Sequence, residues 1–187
     1  GTLYRLIPSP HESVSLGFKA QITLGTYPNS STINGDIVLE VELHLYDPKE
    51  LPTFGRVTLQ GNGYMLCDVM KRSEAKVRMF FDNTYSFDDE VLHGVFQVGI
   101  VAPPVLGGGQ AVLHIGSPWY FKLGEPGNGI GLTYASWLPS TRSYFMVGEN
   151  LPPMAALPDK ITRVLGIPGV ERDTSIANGS GLAFGSM

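Results

Sequence analysis

The stretch Asp36–Tyr46, DIVLEVELHLY, constrains the fold more than any other part of the chain. Ile37, Leu39, Val41, Leu43 and Leu45 share one parity. Asp36, Glu40, Glu42, His44 and Tyr46 share the other, and only Val38 is out of place. Successive side chains leave opposite faces of a pleated strand, so the alternation predicts a long strand with one buried and one wetted face. A helix would spread these residues around its whole circumference. Two-sided strands of this kind belong to antiparallel sheets. Asn34-Gly35 reads as a tight turn before the strand, and Asp47-Pro48 ends it, because proline has no amide for the ladder.

A second alternating run, Ser13–Leu24, sets Val14, Leu16, Phe18, Ala20, Ile22 and Leu24 against Ser15, Lys19, Gln21 and Thr23. Joined to the first across a polar turn at Gly25–Gly35, it predicts a long hairpin. Further strands are predicted at Leu3–Ile7, Arg56–Gln60, Tyr64–Val69, Lys76–Phe81, Val91–Val101, Gln110–Ile115, Trp119–Leu123, Gly129–Ala135 and Ser143–Val147. Leu51-Pro52, Gly61-Asn62-Gly63, Pro103-Pro104, Gly107-Gly108-Gly109 and Ser117-Pro118 punctuate them. With 23 glycines and 14 prolines in 187 residues, turns are frequent. The expected fold is all-β: an antiparallel sandwich or jelly roll.

Only Pro158–Leu165 reads as helix, with Asp159 near its start and Gly166 as a C-cap. Residues 166–187 are rich in Gly, Ser and Asn and predict an extended C-terminal arm. Its scattered anchors Val170, Ile176, Leu182 and Phe184 gain little by folding alone, since ordering costs ~1–2 kcal/mol per residue. The arm is expected to lie on a neighbouring copy or on the open edge of its own domain.

Charge narrows the function classes. The net charge is −4 and 16% of residues are charged, below the usual quarter of a soluble domain. The densest basic group is Lys71-Arg72 with Lys76 and Arg78, which is no nucleic-acid footprint, so direct RNA binding is not expected. The single cysteine, Cys67, excludes an internal disulfide and reads as buried and inert. No apolar run reaches the ~18 residues of a membrane span. Residues 1–10 lack the basic and apolar regions of a signal peptide. Without a secretory signal, Asn29-Ser30-Ser31 and Asn178-Gly179-Ser180 carry little weight as glycosylation sites.

Catalytic signatures are sparse. His11, His44, His93 and His114 include no pair at metal-ligand spacing, and HExxH and CxxC are absent. Gly127-Asn128-Gly129-Ile130-Gly131 lacks the βαβ surroundings of a phosphate loop and reads as a turn. Asp82, Asp88, Asp89 and Glu90 bracket Thr84–Phe87, and an oxygen-rich loop of this composition suits Ca2+; the bland alternative is a solvated loop with Asx turns. Trp119, Tyr120, Trp137 and Tyr144 lie near proline and glycine turns and suit a glycan or protein partner, or simply the core.

Leu16 to Pro52 resembles the last hairpin of the shell jelly roll in coat proteins of small icosahedral RNA viruses of the tombusvirus-like group. The residues that carry the resemblance are Leu16-Gly17, Gly25-Thr26-Tyr27, Gly35-Asp36 and Leu45-Tyr46-Asp47-Pro48. The resemblance implies a shell hairpin over residues 1–50, a hinge at Leu51-Pro52, a projecting β-sandwich over 51–165 and the arm over 166–187. It also implies a self-assembling, non-enzymatic capsid subunit, found in the virion and in the host cytoplasm during assembly. Its partners would be other copies, other capsid chains and a host receptor or glycan. The main alternative is a carbohydrate-binding sandwich that stacks sugars on Trp119, Tyr120, Trp137 and Tyr144.

Overall fold

The alternating stretch is the third strand of a large antiparallel sheet. A computed structural model describes residues 5–8, 14–45, 51–135, 140–152 and 180–186. The strands are β1 Arg5–Pro8, β2 Val14–Gly25, β3 Ile33–Leu45, β4 Thr53–Met65, β5 Val77–Ser86, β6 Val91–Ala102, β7 Val105–Ile115, β8 Tyr120–Leu123, β9 Ile130–Tyr134, β10 Thr141–Glu149 and β11 Ser180–Ser186. Through β8 each strand pairs with its successor; β10 then pairs with β8, and β11 with β10. β9 lies in the same lane as β8, because β7 and β10 each pair with both. A turn held by the Glu125–Asn128 bridge separates the two halves of that lane.

The predicted hairpin is present. β2 pairs with β3 from Val14↔Leu45 to Gly25↔Asn34, and β3 pairs in turn with β4 from Ile33↔Met65 to His44↔Thr53. Leu51-Pro52 therefore precedes a strand that pairs along the length of β3. The antiparallel all-β class is present, while no sandwich or jelly roll is identified among the described residues. Among the described residues the strands form one meandering sheet, without the long crossing connection of a Greek key.

Three expected breaks are continuous strand. Asn34-Gly35 lies within β3, and Gly61-Asn62-Gly63 within β4. Gly107-Gly108-Gly109 lies within β7. The glycines serve close approach: a Cβ on Gly61 would lie 2.3 Å from the Phe81 ring, and one on Gly35 2.3 Å from the Asn62 carbonyl oxygen. The Thr84–Phe87 loop is mostly strand as well, since β5 runs to Ser86.

The single helical segment among the described residues is a 3-10 helix, Val69–Glu74, capped by the Asp68 carboxylate, which accepts from the Met70 amide. The sequence reading missed it and placed a strand to Val69. Pro158–Leu165 lies outside the described residues. Of the arm, residues 180–186 form β11, which pairs with β10 of its own sheet from Glu149↔Ser180 to Ser143↔Ser186. Leu182 and Phe184 are thus spaced as one strand face, not irregularly.

The small core sits beside this last pairing. Met146, Leu151 and Ala183 are buried, with Tyr120 and Tyr144 packed against them.

Candidate functional site

Directly paired residues share a face of the sheet, so the register sorts every strand residue onto one of two faces. The first face carries polar cross-strand pairs at direct register. Lys19 Nζ lies 3.3 Å from Glu40, and Arg56 Nη2 donates to Glu42 at 2.8 Å. Thr23 donates to Asp36 at 2.7 Å and Gln60 to Asp82 at 2.9 Å, while the hydroxyls of Thr58 and Thr84 meet at 3.1 Å. His44 joins Ser15 and Asp88. Each of these polar groups is met from the neighbouring lane or from the turn beside it.

A latch on the same face holds the 3-10 helix down. Asn34, only 1% exposed, donates to the Cys67 and Ser30 carbonyls and accepts from Arg72 Nε at 3.0 Å. Arg72 pairs with Asp36 and lies 5.1 Å over the Tyr64 ring. The Thr23 hydroxyl, then the Arg72 hydrogen bond and charge, hold the Asp36 carboxyl below its usual range. Cys67 is buried beneath the latch. Farther along, His93 and His114 face each other, Nδ1 to Nδ1 at 3.3 Å, and Tyr120 stacks on His114 at 5.0 Å. Burial, then the neighbouring His93, pushes the His114 imidazole below its usual pKa.

This polar face lines a groove of about 860 Å³ reached by residues from β4 to β10. Arg78 stands on one side and Arg142 on the other, with Gln97 and Gln110 between them. Among the described residues no carboxylate lines it. Gly129 and Gly131, from the run that superficially matched a phosphate loop, belong to its wall.

The second face is the opposite. It collects Leu16, Phe18, Ala20, Ile22 and Leu24 from β2, and Ile37, Leu39, Val41, Leu43 and Leu45 from β3. Val57, Leu59, Met79, Phe81, Phe96, Val98, Leu113, Phe121, Phe145 and Phe184 continue it across the sheet. From Leu16 onward, the only Asp, Glu, Lys, Arg or His that the register assigns to it among the described residues is Glu149, at the end of β10. Yet the described residues do not cover the face: Phe18 is 40% exposed, Ile22 59% and Phe184 73%. Over β2 to β7, five lane spacings and ~11 residues of strand give on the order of 900 Å². One partner of a standard protein interface contributes about 800 Å².

The sequence-nominated sites are scattered. Asp82 lies within β5 and binds Gln60, Asp88 lies at the hairpin turn beside His44, and Asp89 accepts from Ser86 at 2.8 Å. Glu90 occupies the same turn with φ 54°. Among the described residues no three His, Cys, Asp or Glu side chains gather to hold a metal. Tyr120 and Tyr144 pack on the Met146 cluster, while Trp119 is exposed in the loop before β8. Trp137 lies outside the described residues. Sequence reasoning missed the groove, because Arg78, Gln97, Gln110 and Arg142 meet only through strand register. Comparison with protein families, curated proteins and solved structures finds no match.

Proposed function

We propose that the chain is a non-enzymatic structural subunit of a virion coat, assembling with other copies and other capsid chains. The observation that carries this reading is the continuous uncharged face, which the described residues leave open to water. Monomeric soluble proteins rarely expose apolar patches beyond a few hundred Å². On this reading the sandwich implied by the alternation is completed at assembly, when a second apolar layer from another subunit covers that face. The β2–β3 hairpin supports it, since Leu16-Gly17 and Gly25 lie on the strand paired with Gly35-Asp36 and Leu45. The polar projecting side would then face outward for host attachment, and the protein would occupy the virion and, during assembly, the host cytoplasm.

Lipid is the other environment for an uncharged face. No helix among the described residues is long and apolar enough to cross a membrane, but strands can cross by closing into a barrel. Here β1 pairs only with β2, and β11 only with β10, among the described residues. Open edges exposed to lipid leave unpaired amides and carbonyls that a bilayer cannot satisfy, so protein is the better partner.

Negative-stain electron microscopy of the purified protein tests the reading. Closed shells or regular oligomers are expected. A uniform population of monomers, or stable insertion into lipid vesicles, contradicts it.

A further inference from the structure

We infer that the groove on the polar face is a binding site for an acidic oligosaccharide. The inference does not depend on the capsid reading, because the groove lies on the face opposite the proposed assembly surface.

The groove is built along one register row. Gly99 pairs with Gly108, and Gly108 with Gly131, so three adjacent strands present bare backbone side by side. Arg78 pairs with Gly99 at one end of this row, and Arg142 with Gly131 at the other. Four lane spacings, ~19 Å measured along the sheet, separate the two arginines. The next row places Gln97 opposite Gln110. The result is a strip of bare backbone with a guanidinium at each end, and with carboxamides, Tyr64 and Phe80 beside it.

Charge points the same way. Arg72, the third arginine at the groove, is already paired with Asp36. Arg78 donates only to the Ser73 carbonyl, a neutral acceptor, and Arg142 has no ion-pair partner among the described residues. Two guanidinium charges therefore face a groove that, among the described residues, no carboxylate lines. Arginine forks bind carboxylates in bidentate fashion, and glutamine amides suit hydroxyls as both donors and acceptors. Tyr64 and Phe80 also line the groove, and an aromatic face accepts a sugar ring as well as a base, so AMP is the competitor that separates the two ligand classes. The volume of about 860 Å³ falls within the range of small-ligand sites.

Gly99 supplies a selective test. A Cβ added there meets nothing within 4 Å, whereas one on Gly108 would lie 2.5 Å from the Val98 carbonyl oxygen. Gly99→Val should therefore fold normally while filling the floor.

The experiment titrates trigalacturonate, its fully methyl-esterified analogue and AMP into the full chain, monitored by calorimetry and NMR. The expected result is binding of trigalacturonate that weakens with salt, with the ester at least tenfold weaker. Arg78→Gln and Arg142→Gln should each weaken binding about tenfold or more. Gly99→Val should abolish it with an unchanged melting temperature. No saturable trigalacturonate binding, equal binding of the ester, tighter binding of AMP, or full binding by a folded Gly99→Val protein would each overturn the assignment.

Discussion

Two faces of one sheet carry the same backbone ladder and opposite chemistry. On the polar face, charges and hydroxyls find partners on the next strand: Lys19 meets Glu40, Arg56 meets Glu42, and Asp36 meets both Thr23 and Arg72. On the other face the matching positions are Ile, Leu, Val and Phe, which only a further apolar layer can satisfy. Direct cross-strand pairs contribute roughly 0.2–1 kcal/mol each, so the polar face is settled locally by many small terms. Apolar burial is worth about 25 cal/mol per Å², so the larger driving force is still unspent on the uncovered face. Strand pairing is complete within the described sheet, whereas on the proposed reading the packing of a second layer awaits another subunit.

The largest effect separates two neighbouring positions on β10 and β11. Met146 is fully buried on the polar face at the core, while Phe184, paired with the adjacent Phe145, is 73% exposed on the uncharged face. Met146→Asp should cost about 3 kcal/mol or more, because it buries a charge without a partner. Phe184→Asp should change the stability of dilute monomer by less than about 0.5 kcal/mol. Thermal melts of both variants check this, and equal losses would erase the distinction between the faces.

Next in size is the latch. Arg72→Leu strips the partner from the half-buried Asp36 and from the side-chain oxygen of Asn34. A loss of about 1–3 kcal/mol in urea unfolding is expected. No loss would mean that the 3-10 helix is not held by this contact.

The smallest effect is acid sensitivity. The folded protein holds His114 below its usual pKa, so from about pH 6.5 downward the unfolded chain takes up the proton more readily. Stability is therefore full above that range and falls as pH drops through the folded value. Asp36, also depressed, adds a second loss below about pH 3.9. His114→Gln should flatten the first limb and leave the second. Urea midpoints measured from pH 8 to pH 3 separate the two, and an unchanged first limb in the variant would exclude His114 as its source.

Much of this contrast is legible in the sequence. The alternation in Asp36–Tyr46 and Ser13–Leu24 gives the all-β class, the hairpin and the two faces, because parity along a strand is fixed by the pleat. Glycine is where the reading fails. Gly61, Gly63 and Gly107–Gly109 look like turns, but they sit in strands beneath Phe81, Met79 and Ile130, and only register reveals those neighbours. The arginine groove is illegible for the same reason, since Arg78 and Arg142 are brought together by four intervening pairings. The 3-10 helix had one available signal, Asp68 as an N-cap, but it is too short to show a period. The carboxylates at Asp82 and Asp88–Glu90 look clustered in sequence, yet β5 runs on past Asp82 and parts it from the turn.

Sedimentation velocity on the wild-type protein and the double variant Leu39→Lys/Val98→Lys tests the central claim most directly. Both positions lie on the uncharged face, on β3 and β6, and are partly exposed. The wild type is expected to sediment as assemblies, and the variant as a monomer with the same circular dichroism and melting temperature. A wild type that stays monomeric at high concentration, or a variant that assembles as the wild type does, would contradict it.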